Sequence, residues 1–330
     1  MASPPTDTIF GAAVAKFVSH QRAFGRSYAV QEFVLTAIAR YVSQQGTSDL
    51  SAPLYHRWCK AQQHLSSTSL HESQILLRKF CLFRRRSTPR CFVPDATTFA
   101  RRRPPRAPVI VTPAQVASLL QAAKILSPSI HNPLRAATTR IAIVLLYTAG
   151  LRRGELARMQ LRDVDAEEGL LYVRESKFHR SRWVPLSNGA KRELQAYLRQ
   201  RLRKPFERDP ATPLLCNGNR SYGRSGWHNY CGAGLAQGLR ELIQQTNVRG
   251  ADGRYPTVHD FRHSFAVEAL ARWYRNGEDV QAHLPRLALY MGHVSIVSTA
   301  YYLHFIPEVA ALASNRFGKR YSHLLEGDGS

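Results

Sequence analysis

The sequence predicts a mainly α-helical chain with one small β-hairpin or sheet, divided into two domains. Three observations carry that reading. Apolar residues recur at three- and four-residue intervals over long stretches, the period of a helix with one buried face. Only "LLYVR" (170–174) and "RWVPL" (182–186) read as short β-rich runs, and the polar turn between them makes a hairpin. A proline–arginine seam, "FARRRPPRAPVIVTPAQ" at 99–115, separates an all-helical first part from a mixed second part.

The first domain is expected over residues 1–104. Val30, Phe33, Val34, Ala37, Ile38, Tyr41 and Val42 keep helical spacing, and Gly46 stops the run. A second helix around 68–83 ends in Arg84, Arg85 and Arg86, a terminus suited to phosphate contact. A small helical bundle is the simplest arrangement. In the seam, Pro104, Pro105 and Pro108 cannot continue a helix, so 105–111 is read as a basic, proline-rich linker. Its neighbours Arg101, Arg102, Arg103 and Arg106 are placed to follow a polyanionic backbone.

The second domain is expected over 112–305. Thr112, Pro113 and Gln115 supply an N-cap, a first-turn proline and the closing side of a capping box. Asn132-Pro133 opens a helix carrying Ile141, Ala142, Leu145, Leu146 and Ala149 on one side, and Gly150 ends it. The hairpin follows, then mostly helix to about 318. Residues 306–330 hold an amphipathic stretch, "PEVAALASNRF", and a polar tail.

Composition narrows the partners. The 330 residues contain 46 Lys and Arg against 23 Asp and Glu, a formal net charge of +23, with 44% hydrophobic residues for two real cores. A positive excess of that size attracts phosphate backbones. Five cysteines, odd in number and without a CxxC pair, argue against a zinc site or a disulfide framework. The first twenty residues lack a charged segment followed by a sustained apolar run, and the apolar stretch "IAIVLLYTAGL" is too short to cross a bilayer. The expectation is a reduced, soluble, cytoplasmic protein associated with the nucleoid. RNP-like aromatic motifs and KH-type loops are absent, which disfavours RNA recognition.

The candidate chemistry lies in four boxes. Arg152, in "TAGLRRGEL", follows a glycine helix stop, where an arginine can grip a phosphate oxygen through its planar fork. Lys177 sits in the hairpin turn "RESKFHRSR", as a flexible ammonium able to reach across a groove. His259 and Arg262, in "HDFRHSFA", are spaced i, i+3 on one helix face, and His263 beside them reads as a structural residue holding the neighbouring segment. "YMGHVSIVSTAYYLH" then supplies His293 after a glycine and the adjacent pair Tyr301 and Tyr302.

This order resembles the tyrosine recombinases, the family of phage integrases, Xer-type resolving enzymes and transposon-encoded integrases. "TAGLRRGELARMQLRDVD" resembles the family's first arginine box and places the catalytic arginine at Arg152, with Glu155 and Leu156 in the supporting helix. "SKFHRSRWVPL" resembles the hairpin of the catalytic lysine, Lys177. "HDFRHSFA" matches the His-x-x-Arg box at His259 and Arg262, and "MGHVSIVSTAYYLH" the last box at His293 and the nucleophile Tyr302. Tyr301 is a competitor, but the Leu303-His304 that follows fits a Tyr-x-His ending at Tyr302. Gly154 and Met291 depart from the serine and leucine common at those places, and neither removes a catalytic group. The last box is most similar to recombinases encoded by transposable elements.

The resemblance implies an N-terminal helical core-binding (SAM-like) domain and an α+β catalytic domain, closed as a C-shaped clamp on double-stranded DNA. It implies strand cleavage and rejoining through a 3′-phosphotyrosine link, without ATP, metal or other cofactor. His259 is the expected acceptor of the Tyr302 proton and Lys177 the acid for the departing 5′ oxygen. The expected partners are DNA and further recombinase subunits, as a homo- or hetero-tetramer, with the C-terminal helix passed between subunits or packed at home. The alternatives are a catalytically silent DNA-binding accessory of a recombinase and, less compatible with these boxes, a type IB topoisomerase-like enzyme.

Overall fold

The computed structural model describes residues 8–104, 106–129, 132–174, 181–203, 208–218, 227–230 and 232–306. Lys177, most of the turn around it and the stretch 307–330 lie outside the described residues. The chain divides into two compact units between Arg106 and Ala107.

The first unit is a helical bundle of α1 (Ile9–Ala23), α2 (Ala29–Gln44), α3 (Ala52–Ala61) and α4 (Ser67–Arg85). Short polar side chains start three of them: Thr8, Ser51 and Ser66 each accept from a backbone N–H in the first turn of α1, α3 and α4. The core is Phe10, Val14, Phe17, Leu35, Ile38, Val42, Leu54, Leu77 and Phe80, and each such side chain contributes roughly 1.5–3 kcal/mol by leaving water. On α2 the buried stripe is Leu35, Ile38, Ala39 and Val42. Val30 and Phe33, expected on the same face, are exposed, because the stripe begins one turn later.

Arg84 departs from the expectation of a phosphate contact. It is only 3% exposed and forms a two-pronged ion pair with Asp49, Nη1 to Oδ1 and Nη2 to Oδ2 both at 2.7 Å. Its guanidinium lies 5.4 Å and 5.7 Å from the Phe10 and Phe80 ring centres. A planar cation fits such a place because its charge is matched by the carboxylate and by the aromatic faces. Arg85, Arg86, Arg101, Arg102 and Arg103 are exposed, Arg102 with a loose ion pair to Glu72 at 3.8 Å.

The second unit takes in the end of the seam. Val109 and Val111 are buried, and their N–H groups donate to Asp260 Oδ1 (3.1 Å) and Ser264 Oγ (2.8 Å), so this part of the expected linker is built into the unit. Helix α5 (Pro113–Lys124) opens with the expected capping box, Gln115 N donating to Thr112 Oγ1 and Thr112 N to Gln115 Oε1. Helix α6 (Arg135–Thr148) is buried at Thr138 and along the continuous run 141–146. It ends at Gly150, whose φ is +58° and where a Cβ would lie 2.5 Å from the Phe265 ring, so a side chain is excluded twice. The short α7 (Arg153–Arg158) follows.

The sheet has three antiparallel strands, β1 (Val164–Asp165), β2 (Leu170–Val173) and β3 (Arg182–Pro185), in that order. The two runs expected to form a hairpin pair antiparallel, Leu170 with Pro185 and Val173 with Arg182. Leu171, Val173 and Val184 turn into the core. Helix α8 (Asn188–Arg201) packs beside α6, and a two-stranded ribbon of β4 (Cys216–Gly218) and β5 (Trp227–Asn229), not foreseen from the sequence, precedes α9 (Gly232–Gln245). Helices α10 (Val258–Arg275), α11 (Val280–Met291) and α12 (Val297–Ala300), then a 3-10 turn over Tyr301–Phe305, complete the described chain.

Candidate active site

The box "HDFRHSFA" divides its labour along α10. Asp260 caps the helix, accepting from Thr257 N at 2.7 Å, and also holds Val109 N. Ser264 fastens Val111, and Phe261 and Ala266 enter the core. That leaves His259, Arg262 and His263 for the pocket, as helical spacing requires.

Arg262 is 1% exposed and joins two distant turns: Nη1 donates to Gly150 O, just before Arg152, and Nη2 to Met291 O (2.6 Å), just before Gly292 and His293. Arg152 Nη2 donates to Gly292 O (2.7 Å), and Nη1 to Glu155 Oε1 (2.7 Å). The Arg152 backbone N–H donates to the other Glu155 oxygen at 2.9 Å. Glu155, part of the supporting helix foreseen in the sequence, is also gripped by Arg182 from β3. Arg182 was missed. Its partners stand 27 and 108 residues along the chain, and no local pattern announces them.

The last box supplies the other wall. Gly292, in the left-handed conformation at φ +67°, ends α11 and turns the chain toward His293. His293 Nδ1 shares a hydrogen bond of 2.7 Å with Thr299 Oγ1, and Thr299 is wholly buried. Such a bond fixes which ring nitrogen points outward. Tyr302 is 3% exposed, whereas Tyr301 is 42% exposed. The Tyr302 ring lies 6.2 Å from that of His293, and its hydroxyl shares a 2.9 Å hydrogen bond with His263 Nδ1. His263 therefore holds the neighbouring segment as expected, through the phenol itself. His259, expected at the phenol, is instead exposed, with its ring edge-on to His263 at 4.4 Å.

The electrostatics follow from three guanidiniums around one carboxylate. Burial works to raise the Glu155 pKa, but the Arg182 and Arg152 contacts prevail and lower it to about 2. Burial, then the charge of Arg152, presses Arg262 down to about 9, which leaves it charged at neutral pH. Burial also lowers His293 to about 4, with Arg262 and Arg152 adding to it, and lowers His263 to about 4, with His259 adding. His259 moves down through partial burial and Arg262. Burial raises the Tyr302 phenol against the pull of Arg262 and Arg152. The pocket thus offers a cationic wall, neutral imidazoles and a protonated phenol. That set suits an oxyanion whose charge grows during reaction.

The structure brings together Arg152, His259, Arg262, His293 and Tyr302, and it leaves Lys177 outside the described residues. Among the described residues, no group of three or more His, Cys, Asp or Glu side chains could hold a metal ion. No helix among them is long and apolar enough to cross a membrane.

Residues 110–308 match the profile of the phage integrase family. Over 318 residues the chain is 33% identical to the integrase/recombinase-type protein y4rE of Sinorhizobium fredii, covering 93% of this chain and 95% of that one. It is 30% identical over 175 residues to the tyrosine recombinase XerC of Pelotomaculum thermopropionicum, 51% of this chain and 50% of that one. The Tn1549 transposon integrase, solved in complex with transposon right end DNA, covers 92% of this chain and 98% of its own with a TM-score of 0.61 at 18% identity. A lambda integrase dimer bound to a COC′ core site gives 0.58 at 16%, covering 88% and 76%. At those identities the likeness is one of fold.

Proposed function

The chain belongs to the phage integrase family of tyrosine recombinases, enzymes that cleave and rejoin DNA strands, and from that premise we propose that it acts on duplex DNA at specific sites, through a 3′-phosphotyrosine intermediate, for a mobile genetic element. The observation that carries the mechanism is Arg262, whose two donors hold the turns bearing Arg152 and His293 on either side of it, with Tyr302 against the same wall. The full-length likeness to y4rE and the fold shared with a transposon integrase support the mobile-element reading.

In this scheme Tyr302 Oη attacks phosphorus and the P–O5′ bond breaks. Arg152, Arg262 and His293 face the non-bridging oxygens. Phosphoryl transfer is mainly positioning and charge stabilisation, which fixed cations supply. The Tyr302 proton leaves during attack, because the phenol is protonated at rest. His263 is the acceptor already in contact with it, in place of His259. Lys177 protonates the departing 5′ oxygen. The new ester keeps the bond energy, so a second 5′ hydroxyl reverses the attack and joins a new strand. Four subunits on paired sites complete an exchange, and the exposed Arg85, Arg86, Arg101, Arg102 and Arg103 follow the backbone.

The test is a nicked suicide substrate carrying the end sequence of the element that encodes the protein. The wild type and Tyr301→Phe form a covalent protein–DNA adduct, and Tyr302→Phe forms none. An adduct that survives Tyr302→Phe moves the nucleophile elsewhere. Tight binding without any adduct leaves the silent accessory as the better reading. Mass photometry on paired sites reads the assembly.

A further inference from the structure

Three consecutive carbonyls at the end of α11 are each held by a different arginine. Tyr290 O accepts from Arg182 Nε at 2.7 Å, Met291 O from Arg262 Nη2 at 2.6 Å, and Gly292 O from Arg152 Nη2 at 2.7 Å. The last carbonyls of a helix lack partners within it and carry its negative end, so cations are favoured there. His293 follows at once. Two of these arginines, Arg152 and Arg262, are residues of the reacting pocket, and the third, Arg182, reaches it through Glu155 and the Tyr290 carbonyl.

We propose that Arg182 is a positioning residue for the strand-cleavage step: it balances Glu155 so that Arg152 stays aimed at the scissile phosphate, and it fixes the turn that presents His293. The inference rests on the function proposed above. Arg182 opens β3, its side chain is 9% exposed, and it meets Glu155 in a two-pronged pair, Nη1 to Oε1 at 3.0 Å and Nη2 to Oε2 at 2.9 Å. The same two oxygens accept from Arg152 Nη1 and from the Arg152 backbone N–H. A carboxylate offers about four lone pairs, so Glu155 is fully engaged, and half of that engagement is with Arg182.

Remove Arg182 and a buried carboxylate, 2% exposed, keeps Arg152 as its one cationic partner among the described residues. Its whole charge then draws on the guanidinium that must answer the growing charge on the phosphate. Lysine cannot replace the fork, because an ammonium is a point donor. Gly292 belongs to the same fit. A Cβ there would lie 3.0 Å from Arg182 Nη1 and 3.4 Å from Arg152 Nη1, so the bare backbone lets both guanidiniums close on the turn.

The experiment compares full-length wild type, Arg182→Met and Arg182→Lys on a nicked suicide substrate with an ordinary scissile phosphate, and on one with a methylphosphonate there. The methylphosphonate lacks the negative charge that Arg152 answers. Arg182→Met is expected to slow adduct formation about hundredfold on the phosphate, the size of one missing oxyanion donor. The deficit shrinks to less than about tenfold on the methylphosphonate, while affinity for the intact site is unchanged, and Arg182→Lys falls between. A deficit equal on both substrates makes Arg182 a general structural support and overturns the proposal, as does an undiminished rate on the phosphate. Should Arg182→Met melt well below the wild type, Glu155→Gln is added to it: removing the unbalanced carboxylate restores adduct formation, and no gain overturns the proposal. Adduct formation by wild type that does not depend on Tyr302 counts against the function proposed above instead.

Discussion

The Tyr302 hydroxyl and His263 Nδ1 lie 2.9 Å apart, in a pocket where Tyr302 is 3% exposed and the adjacent Tyr301 is 42% exposed. The nucleophile of the proposed reaction is therefore held inside, by a residue whose sequence position announced only a structural part. His263→Phe keeps a ring in place but leaves a buried phenol without its partner. The expected cost is about 1–3 kcal/mol of stability, read as a lower thermal midpoint. In a Tyr301→Phe background, tetranitromethane is then expected to nitrate Tyr302 faster than in the parent. An unchanged midpoint with Tyr302 still protected would show that packing alone keeps it in.

Acid sensitivity follows from the same pocket. His263 and His293 are both lowered to about 4, by burial first and by neighbouring positive charge second, from an ordinary value near 6.5. Between those two pH values the unfolded chain binds protons that the native histidines refuse, so stability rises with pH across the window. It is complete above the ordinary value and lost as pH falls toward 4. Glu155 acts lower: its pKa is reduced to about 2, so its contribution is present above its ordinary value and fades below it. Denaturant unfolding from pH 7 to pH 4 should show the histidine loss. A His263→Phe, His293→Phe double variant should show a flatter profile, and an equal slope in both proteins would refute the assignment.

Thr299 directs His293. With its hydroxyl replaced in Thr299→Val, the imidazole loses the 2.7 Å bond that sets its tautomer. Adduct formation is expected to fall about tenfold, the equivalent of one neutral hydrogen bond. Affinity for uncleaved DNA should stay within about twofold, because the buried Thr299 cannot itself reach DNA. Equal losses in binding and cleavage would place the fault in folding of the unit.

Local patterns were read well from the sequence because their causes are local. The capping box at Thr112, the stop at Gly150, the two β-rich runs of the hairpin and the shared face of His259 and Arg262 each show in residues close together in the chain. Arg182 and Thr299 escaped notice for the opposite reason: Arg182 acts on Glu155 and Tyr290 through the fold, and a threonine between Ser298 and Ala300 carries no mark of the histidine it meets. The β4–β5 ribbon is too short for alternation to register. In the run Arg84-Arg85-Arg86 charge alone suggested a surface, yet helical geometry turns one member inward, where Asp49 waits 35 positions earlier in the chain.

That run gives a prediction in which three like residues separate. Arg84→Ala removes one side of an ion pair whose arginine is nearly buried, strands Asp49 and uncovers Phe10 and Phe80. It should lower the stability of the first unit by about 2–4 kcal/mol, somewhat less than a fully buried pair, because Asp49 is partly exposed. Arg85→Ala and Arg86→Ala touch exposed side chains and should leave the thermal midpoint where it is. Their effect belongs to DNA: each phosphate that is no longer neutralised reduces the slope of log affinity against log salt by about 0.9. Titrations of the full chain at several salt concentrations measure that slope, and calorimetry measures the midpoint. If Arg84→Ala changed the slope at an unaltered midpoint, the side chain would have to leave Asp49 to meet DNA, and its role as an internal support would be wrong.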